Sequence, residues 1–187
     1  MEKRVDDGYK ELAVAIVGQA FDDYKEHLLR PNWDAECELA AEINRECRNA
    51  TQFVLTAYEY YIEDKSTDDV PMKFLKRCIT DFIDWARKQR MTMACYQPKE
   101  NSRWLGDLRN RAAKAKDLPE LTEIAKSLRK RTSSFKSGVN HLNASWQREF
   151  KELLKFFESD SYYLYTNGRI EPEAVLTELK RKVANGE

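Results

Sequence analysis

Residues 33–62 read WDAECELAAEINRECRNATQFVLTAYEYYI, and their periodicity decides the fold class. Trp33, Cys37, Ala40, Ile43, Cys47, Ala50, Val54, Ala57, Tyr58 and Tyr61 recur at intervals of three and four, which places them on one stripe of a long helix. Glu36, Glu38, Glu42, Glu46 and Glu59 fall between them and give that helix an acidic wet face. Asn32 offers a side-chain oxygen to the first turn, after Pro31 has closed whatever helix precedes it.

The same period extends in both directions. Upstream, Tyr9, Leu12, Ala13, Ile16, Val17, Ala20, Phe21, Tyr24 and Leu28 predict a helix from about Asp7 to Leu29. Downstream, a polar connection ends at Asp69 and Pro71, a capping carboxylate followed by a proline whose missing N–H costs nothing there. Leu75, Cys78, Ile79, Phe82, Ile83 and Ala86, with Trp85 beside them, then predict a helix from Met72 to about Lys88. Periodicity lapses over 91–101, where Pro98 is expected to break any helix. A shorter helix is expected over Ser102 to Lys116. Asp117 to Glu120 forms a capping box for another, expected to end near Ser133-Ser134 with a turn at Ser137-Gly138. From Asn143, the residues Trp146, Phe150, Leu153, Leu154 and Phe157 predict a further helix. Ser159 to Ser161 interrupts it, Thr166-Asn167-Gly168 reads as a turn, and a last helix runs from Pro172 to about Val183.

The expected fold is therefore all-α: a multi-helix bundle with two long N-terminal helices and a C-terminal helical hairpin appendage. Residues 1–142 form the bundle and 143–187 the hairpin, packed together as a single domain. Only 6 Gly and 5 Pro in 187 residues argue against an all-β fold, which needs a turn every 8–12 residues.

Charge is segregated along the chain although the total is zero. Residues 1–70 hold 8 Lys+Arg against 17 Asp+Glu, residues 71–136 hold 17 against 7, and residues 137–187 hold 7 against 8. This layout favours docking onto charged partners. The acidic half offers Asp22, Asp23, Glu26, Glu38, Glu42 and Glu46 as a partner-binding face, or as a merely solvated one. The basic half offers Arg103, Arg109, Arg111, Lys114, Lys126, Arg129, Lys130 and Arg131 to a phosphate backbone, or to the acidic half of the same molecule. Tyr162, Tyr163 and Tyr165 are candidate aromatic anchors, or packing residues of the terminal hairpin.

Catalytic chemistry finds little support. No phosphate-binding glycine loop or nucleophile elbow is present, and no Glu-x-x-His pair that a two-metal bundle requires. Cys37, Cys47, Cys78 and Cys95 include no CxxC spacing; the first three fall on apolar helix faces and read as small buried hydrophobes. Asp23 and His27, four apart, can meet on one face, as an oriented base or as a surface ion pair near a helix C-terminus. No enzyme, metal or cofactor is expected. Residues 1–7 are charged and unlike a signal peptide, and no window of ~18 apolar residues occurs, so a cytoplasmic protein without membrane contact is expected.

Two stretches carry a family resemblance. Residues 12–24, LAVAIVGQAFDDY, resemble the opening helix of small proteins from prophages and integrative elements of Gram-positive bacteria, with Leu-Ala-x-Ala-Ile, then Gln-Ala, then Asp-Tyr. Residues 156–180, from Phe156-Phe157-Glu158-Ser159 through Thr166-Asn167-Gly168 to Leu176 and Leu179-Lys180, resemble the ending of the same proteins. Their ending runs Phe-Phe-x-Ser, an aromatic pair, a Thr-Asp-x-Asp-Gly turn and a short basic helix. Here the turn lacks its aspartates and Glu171-Pro172 is inserted. The resemblance implies a mobile-element context and no catalytic residues. With it comes the expectation of a non-enzymatic inhibitor of a host protein or ribonucleoprotein complex, most concretely an anti-CRISPR protein directed at a type II effector nuclease. The alternative is a nucleic-acid-binding accessory protein of the phage or integrative element, contacting DNA or RNA directly.

Overall fold

The computed structural model describes the backbone of residues 2–29, 32–64, 71–90 and 98–186. These form seven α-helices, and no strand occurs among the described residues. The helices are α1 (Glu2–Leu29), α2 (Trp33–Asp64), α3 (Met72–Arg90), α4 (Pro98–Lys114), α5 (Leu118–Phe157), α6 (Asp160–Thr166) and α7 (Pro172–Asn185). The all-α expectation holds. The sequence signals that start helices are used where described: the Ala35 amide donates to Asn32 Oδ1 at 3.2 Å, and the Glu120 amide donates to Asp117 Oδ1 at 2.9 Å. Glu120 Oε2 in turn accepts from the Lys116 amide at 2.9 Å, one residue upstream of the usual capping-box partner. The proposed Asp69 cap and Cys95 lie outside the described residues.

Several boundaries differ from the sequence reading: α1 starts at Glu2, α4 ends at Lys114, and no new helix starts at Asn143. Pro98 opens α4 instead of breaking a helix, consistent with proline's tolerance in a first turn, where its N–H has no partner to lose. The expected stop at Ser133-Ser134 and turn at Ser137-Gly138 do not occur: α5 runs unbroken for 40 residues. The apolar stripe explains this. Leu128, Thr132, Phe135 and Val139 are all buried and spaced by four, three and four, so the inward face continues through the serines. Ser133 and Ser134 lie on the exposed side. Thr132 Oγ1 bonds the Leu128 carbonyl at 3.0 Å and so keeps its hydroxyl satisfied inside the helix.

The chain divides into two compact units, residues 31–143 and residues 1–30 with 144–187. In the first, α3 packs against α2 and against α4. Its core joins Ala40, Ile43, Cys47 and Val54 of α2 to Leu75, Ile79, Phe82 and Ile83 of α3, Leu105 and Leu108 of α4, and Leu121, Leu128 and Val139 of α5. In the second, α1 packs against α6 and α7. Val17, Ala20 and Tyr24 meet Phe157 and Tyr162, flanked by Phe21, Phe156, Leu176 and Leu179. The boundary expected after residue 142 falls at residue 143, and α1, expected within the 1–142 bundle, groups with the C-terminal segment. The aromatic content of α1 gives the reason. Phe21 stacks on Phe157 at 5.2 Å and Tyr24 meets the same ring edge-on at 6.0 Å, a burial that α1 achieves within this unit.

Ser159 sets the break between α5 and α6. Its hydroxyl donates to the Phe156 carbonyl at 2.7 Å and accepts from the Tyr162 amide at 3.3 Å, closing one helix and capping the next. Asn167 and Gly168, at φ of 52° and 61°, then form the left-handed turn expected before α7.

Candidate partner-binding groove

The unit of residues 31–143 holds an open groove of about 420 Å³ between α2 and α3. On α2, positions 42, 46, 49 and 53 flank the buried stripe beside Ala50; on α3, positions 81 and 85 flank it beside Cys78 and Phe82. Three carboxylates line it, Glu42 and Glu46 from one wall and Asp81 from the other, together with three aromatic rings, Phe53, Phe82 and Trp85. Among the described residues no lysine or arginine lines it. The Phe82 and Trp85 rings are 6.1 Å apart. Phe53 is 56% exposed and meets the also exposed Phe74 edge-on at 5.7 Å. Exposed aromatic area beside carboxylates is a surface that water solvates poorly and that a cation with an apolar stem covers well. Two rim acids already meet guanidinium groups: Arg45 Nε lies 3.4 Å from Glu46, and Arg77 Nε lies 3.3 Å from Asp81. Burial, and then the Asp81 charge, pushes the Cys78 thiol above its ordinary range, which keeps it protonated and unreactive at neutral pH.

The acidic face expected from the sequence resolves into two stripes. Asp22, Asp23 and Glu26 are on α1 in one unit; Glu38, Glu42 and Glu46 are on α2 in the other. Asp23 accepts from Gln19 Nε2 at 2.7 Å, and with Glu26, His27 and Glu149 it borders a smaller cleft of about 260 Å³. The His27 ring lies against Trp146 and Phe150 at 5.1 and 5.2 Å, so packing on aromatic rings, and not a solvated ion pair alone, describes its setting. Among the described residues no group of side chains is arranged to hold a metal ion, and no helix is long and apolar enough to cross a membrane.

Half of the proposed basic face is engaged within its own unit. Arg109 Nε bonds both oxygens of Asp84, at 2.6 and 2.8 Å. Arg129 donates to Thr51 Oγ1 at 2.7 Å, to the Arg48 carbonyl at 3.1 Å and to Gln52 Oε1 at 2.9 Å, which ties α5 to α2. Lys126 pairs with Glu123 at 2.9 Å, and the Arg131 guanidinium lies 5.6 Å from the centre of the Trp104 ring. Arg103, Arg111, Lys114 and Lys130 are exposed.

The aromatic anchors also separate. Tyr162 is fully buried in the core around Phe157 and cannot anchor a partner. Tyr165 is half-buried and meets Tyr9 edge-on at 6.3 Å. Tyr163 alone of the three is exposed. The sequence reading missed Phe53, Asp81, Phe82 and Trp85 as site residues, and Phe74 beside Phe53. The available signal was that Phe53 and Phe74 are large aromatics off the inward stripes, which a purely packing role does not require. Neither a protein family, nor a curated protein, nor a solved structure matches the chain.

Proposed function

We propose that this chain is a non-enzymatic mobile-element protein that docks the acidic wall of the α2–α3 groove onto a basic protein surface and so inhibits a host nucleic-acid-processing complex. The most concrete target is a type II CRISPR effector nuclease, whose nucleic-acid channel is basic. The observation that carries the reading is the groove itself, in which Glu42, Glu46 and Asp81 stand beside aromatic surface, with Arg45 and Arg77 in exposed pairs at its rim. Residues 31–70 carry 10 Asp+Glu against 3 Lys+Arg, so α2 attracts a basic channel and repels phosphate within a Debye length of about 10 Å. The engagement of Arg109, Lys126, Arg129 and Arg131 in internal contacts weakens the competing reading, in which the basic face tracks DNA or RNA.

The test is target cleavage by a panel of type II effectors with the protein in excess. Inhibition that fades with salt, and that the combined Glu38→Gln, Glu42→Gln, Glu46→Gln variant relieves, is expected. Unchanged cleavage across the panel rejects the reading. For the nucleic-acid alternative, a gel shift with duplex, single strand and RNA that is lost in an Arg103→Ala, Arg111→Ala, Lys114→Ala, Lys130→Ala variant would favour it instead.

A further inference from the structure

We infer that the α2–α3 groove is a binding pocket for an arginine side chain presented by a basic segment of the protein partner. The identity of that partner rests on the reading above; the chemistry of the pocket does not. Its volume, about 420 Å³, lies within the range of ligand sites, roughly 300–1,000 Å³. Half-buried Trp85 supplies the ring surface on which a flat guanidinium stacks, with buried Phe82 backing it at 6.1 Å, and exposed Phe53 covers an aliphatic stem. Carboxylates stand on both walls, Glu42 and Glu46 on α2 and Asp81 on α3, so the forked donors of one guanidinium can be met from two sides. A lysine ammonium gains the charge attraction but not the stacking or the fork. A phosphate or carboxylate ligand is repelled by all three acids.

The groove also shows how the site is held before a partner arrives. Arg45 and Arg77 already sit at 3.4 and 3.3 Å from Glu46 and Asp81. Both pairs are solvent-exposed, with side-chain exposures of 68% and 40% in one and 80% and 65% in the other. Exposed pairs of this kind contribute little and exchange readily. A partner guanidinium that adds aromatic contact therefore displaces them.

The experiment is a ¹H–¹⁵N titration of the full chain, reading the Trp85 indole N–H, assigned by its loss in Trp85→Phe. The probe is N-acetyl-arginine amide, and its control is N-acetyl-citrulline amide, which has the same shape without the charge. A saturable shift with the arginine probe, in the millimolar range, is expected, with at least tenfold weaker response to citrulline. The Glu42→Gln, Asp81→Asn variant, altered only at the rim, should weaken arginine binding at least threefold. Equal response to arginine and citrulline, or no response to either, overturns the pocket. So does tighter binding of N-acetyl-lysine amide or of tetramethylammonium, because either removes the case for arginine. The titration contains no partner protein. Failure here together with inhibited cleavage would overturn the pocket and leave the inhibitor reading standing; success here with unaffected cleavage would do the reverse.

Discussion

Replacing Arg129 with alanine should cost the protein about 2 kcal/mol of stability. Arg129 is half-buried and makes three hydrogen bonds to α2, at 2.7, 3.1 and 2.9 Å. Bonds from a charged donor contribute about 1.5–3 kcal/mol when buried and less where water competes. Only the bond to Thr51 Oγ1 is partly buried; the other two are exposed. About 1.5 kcal/mol for the first and a few tenths for each of the others gives the total. No large penalty for an orphaned group is added, because the Thr51 hydroxyl still donates to the Cys47 carbonyl at 2.6 Å. For a chain of this size the loss corresponds to a fall of roughly 4–8 °C in melting temperature. Its neighbour Lys130 is exposed, and Lys130→Ala should stay within about 0.5 kcal/mol of the parent. Urea denaturation of the parent and both variants, at fixed protein concentration, decides the matter. If Arg129→Ala and Lys130→Ala unfold at the same midpoint, Arg129 is not a clamp between α5 and α2, and its place on a nucleic-acid face is restored.

Tyr162 buries a hydroxyl for which no hydrogen-bond partner is present among the described residues, and burial, then the Glu171 charge, raises its ionisation above the ordinary value near 10. Raised in the folded state, it contributes stability below about pH 10 that is lost as pH climbs through the folded value, so Tyr162→Phe should match or exceed the parent at pH 7 and lose less stability above pH 10, followed by circular dichroism. Ser134 is exposed within the continuous α5, so Ser134→Pro should cost about 3 kcal/mol or more by denaturant melts; a change within about 0.5 kcal/mol would restore the turn. Phe157→Ala should cost about 3–5 kcal/mol and raise amide exchange together in residues 12–24 and 156–180, since its 1% exposed ring joins both; exchange confined to one segment would refute that joint core.

The helices were legible because each carries its own stripe, a local signal that needs no knowledge of neighbours. The stop at Ser133-Ser134 was misread for an equally local reason. Serine and glycine favour turns by themselves, whereas Thr132, Phe135 and Val139 favour a helix only once α2 and the rest of the core cover them. The groove divides along the same line. Glu42 and Glu46 stood out as acids on a wet face, but Asp81, Phe82 and Trp85 become part of a site only when α3 packs on α2. The fate of Arg129 was invisible in sequence because its partner Thr51 is 78 residues away. Tyr162 read like its exposed neighbour Tyr163; the difference comes from Phe21, Phe156 and Phe157, whose rings lie within 5.6 to 6.4 Å of it.

The two segments that carry the family resemblance, residues 12–24 and 156–180, meet in one unit although more than a hundred residues separate them. Phe21 on Phe157, Tyr24 against Phe157, and Leu176 and Leu179 beside them form a core built from the two ends of the chain. The residues between, 31–143, have a separate core and contain the groove. The expected resemblance therefore concerns the unit of α1, α6 and α7, and the acids and rings of the proposed binding site belong to the other. The charge segregation does not follow this division: residues 31–70 with a net of −7 and residues 71–136 with a net of +10 both lie in the groove-bearing unit. A likeness to the chain ends cannot assign roles to Glu42, Asp81 or Trp85. Those residues stand on their own physics, three carboxylates beside aromatic surface, and the proposed arginine site rests on that alone.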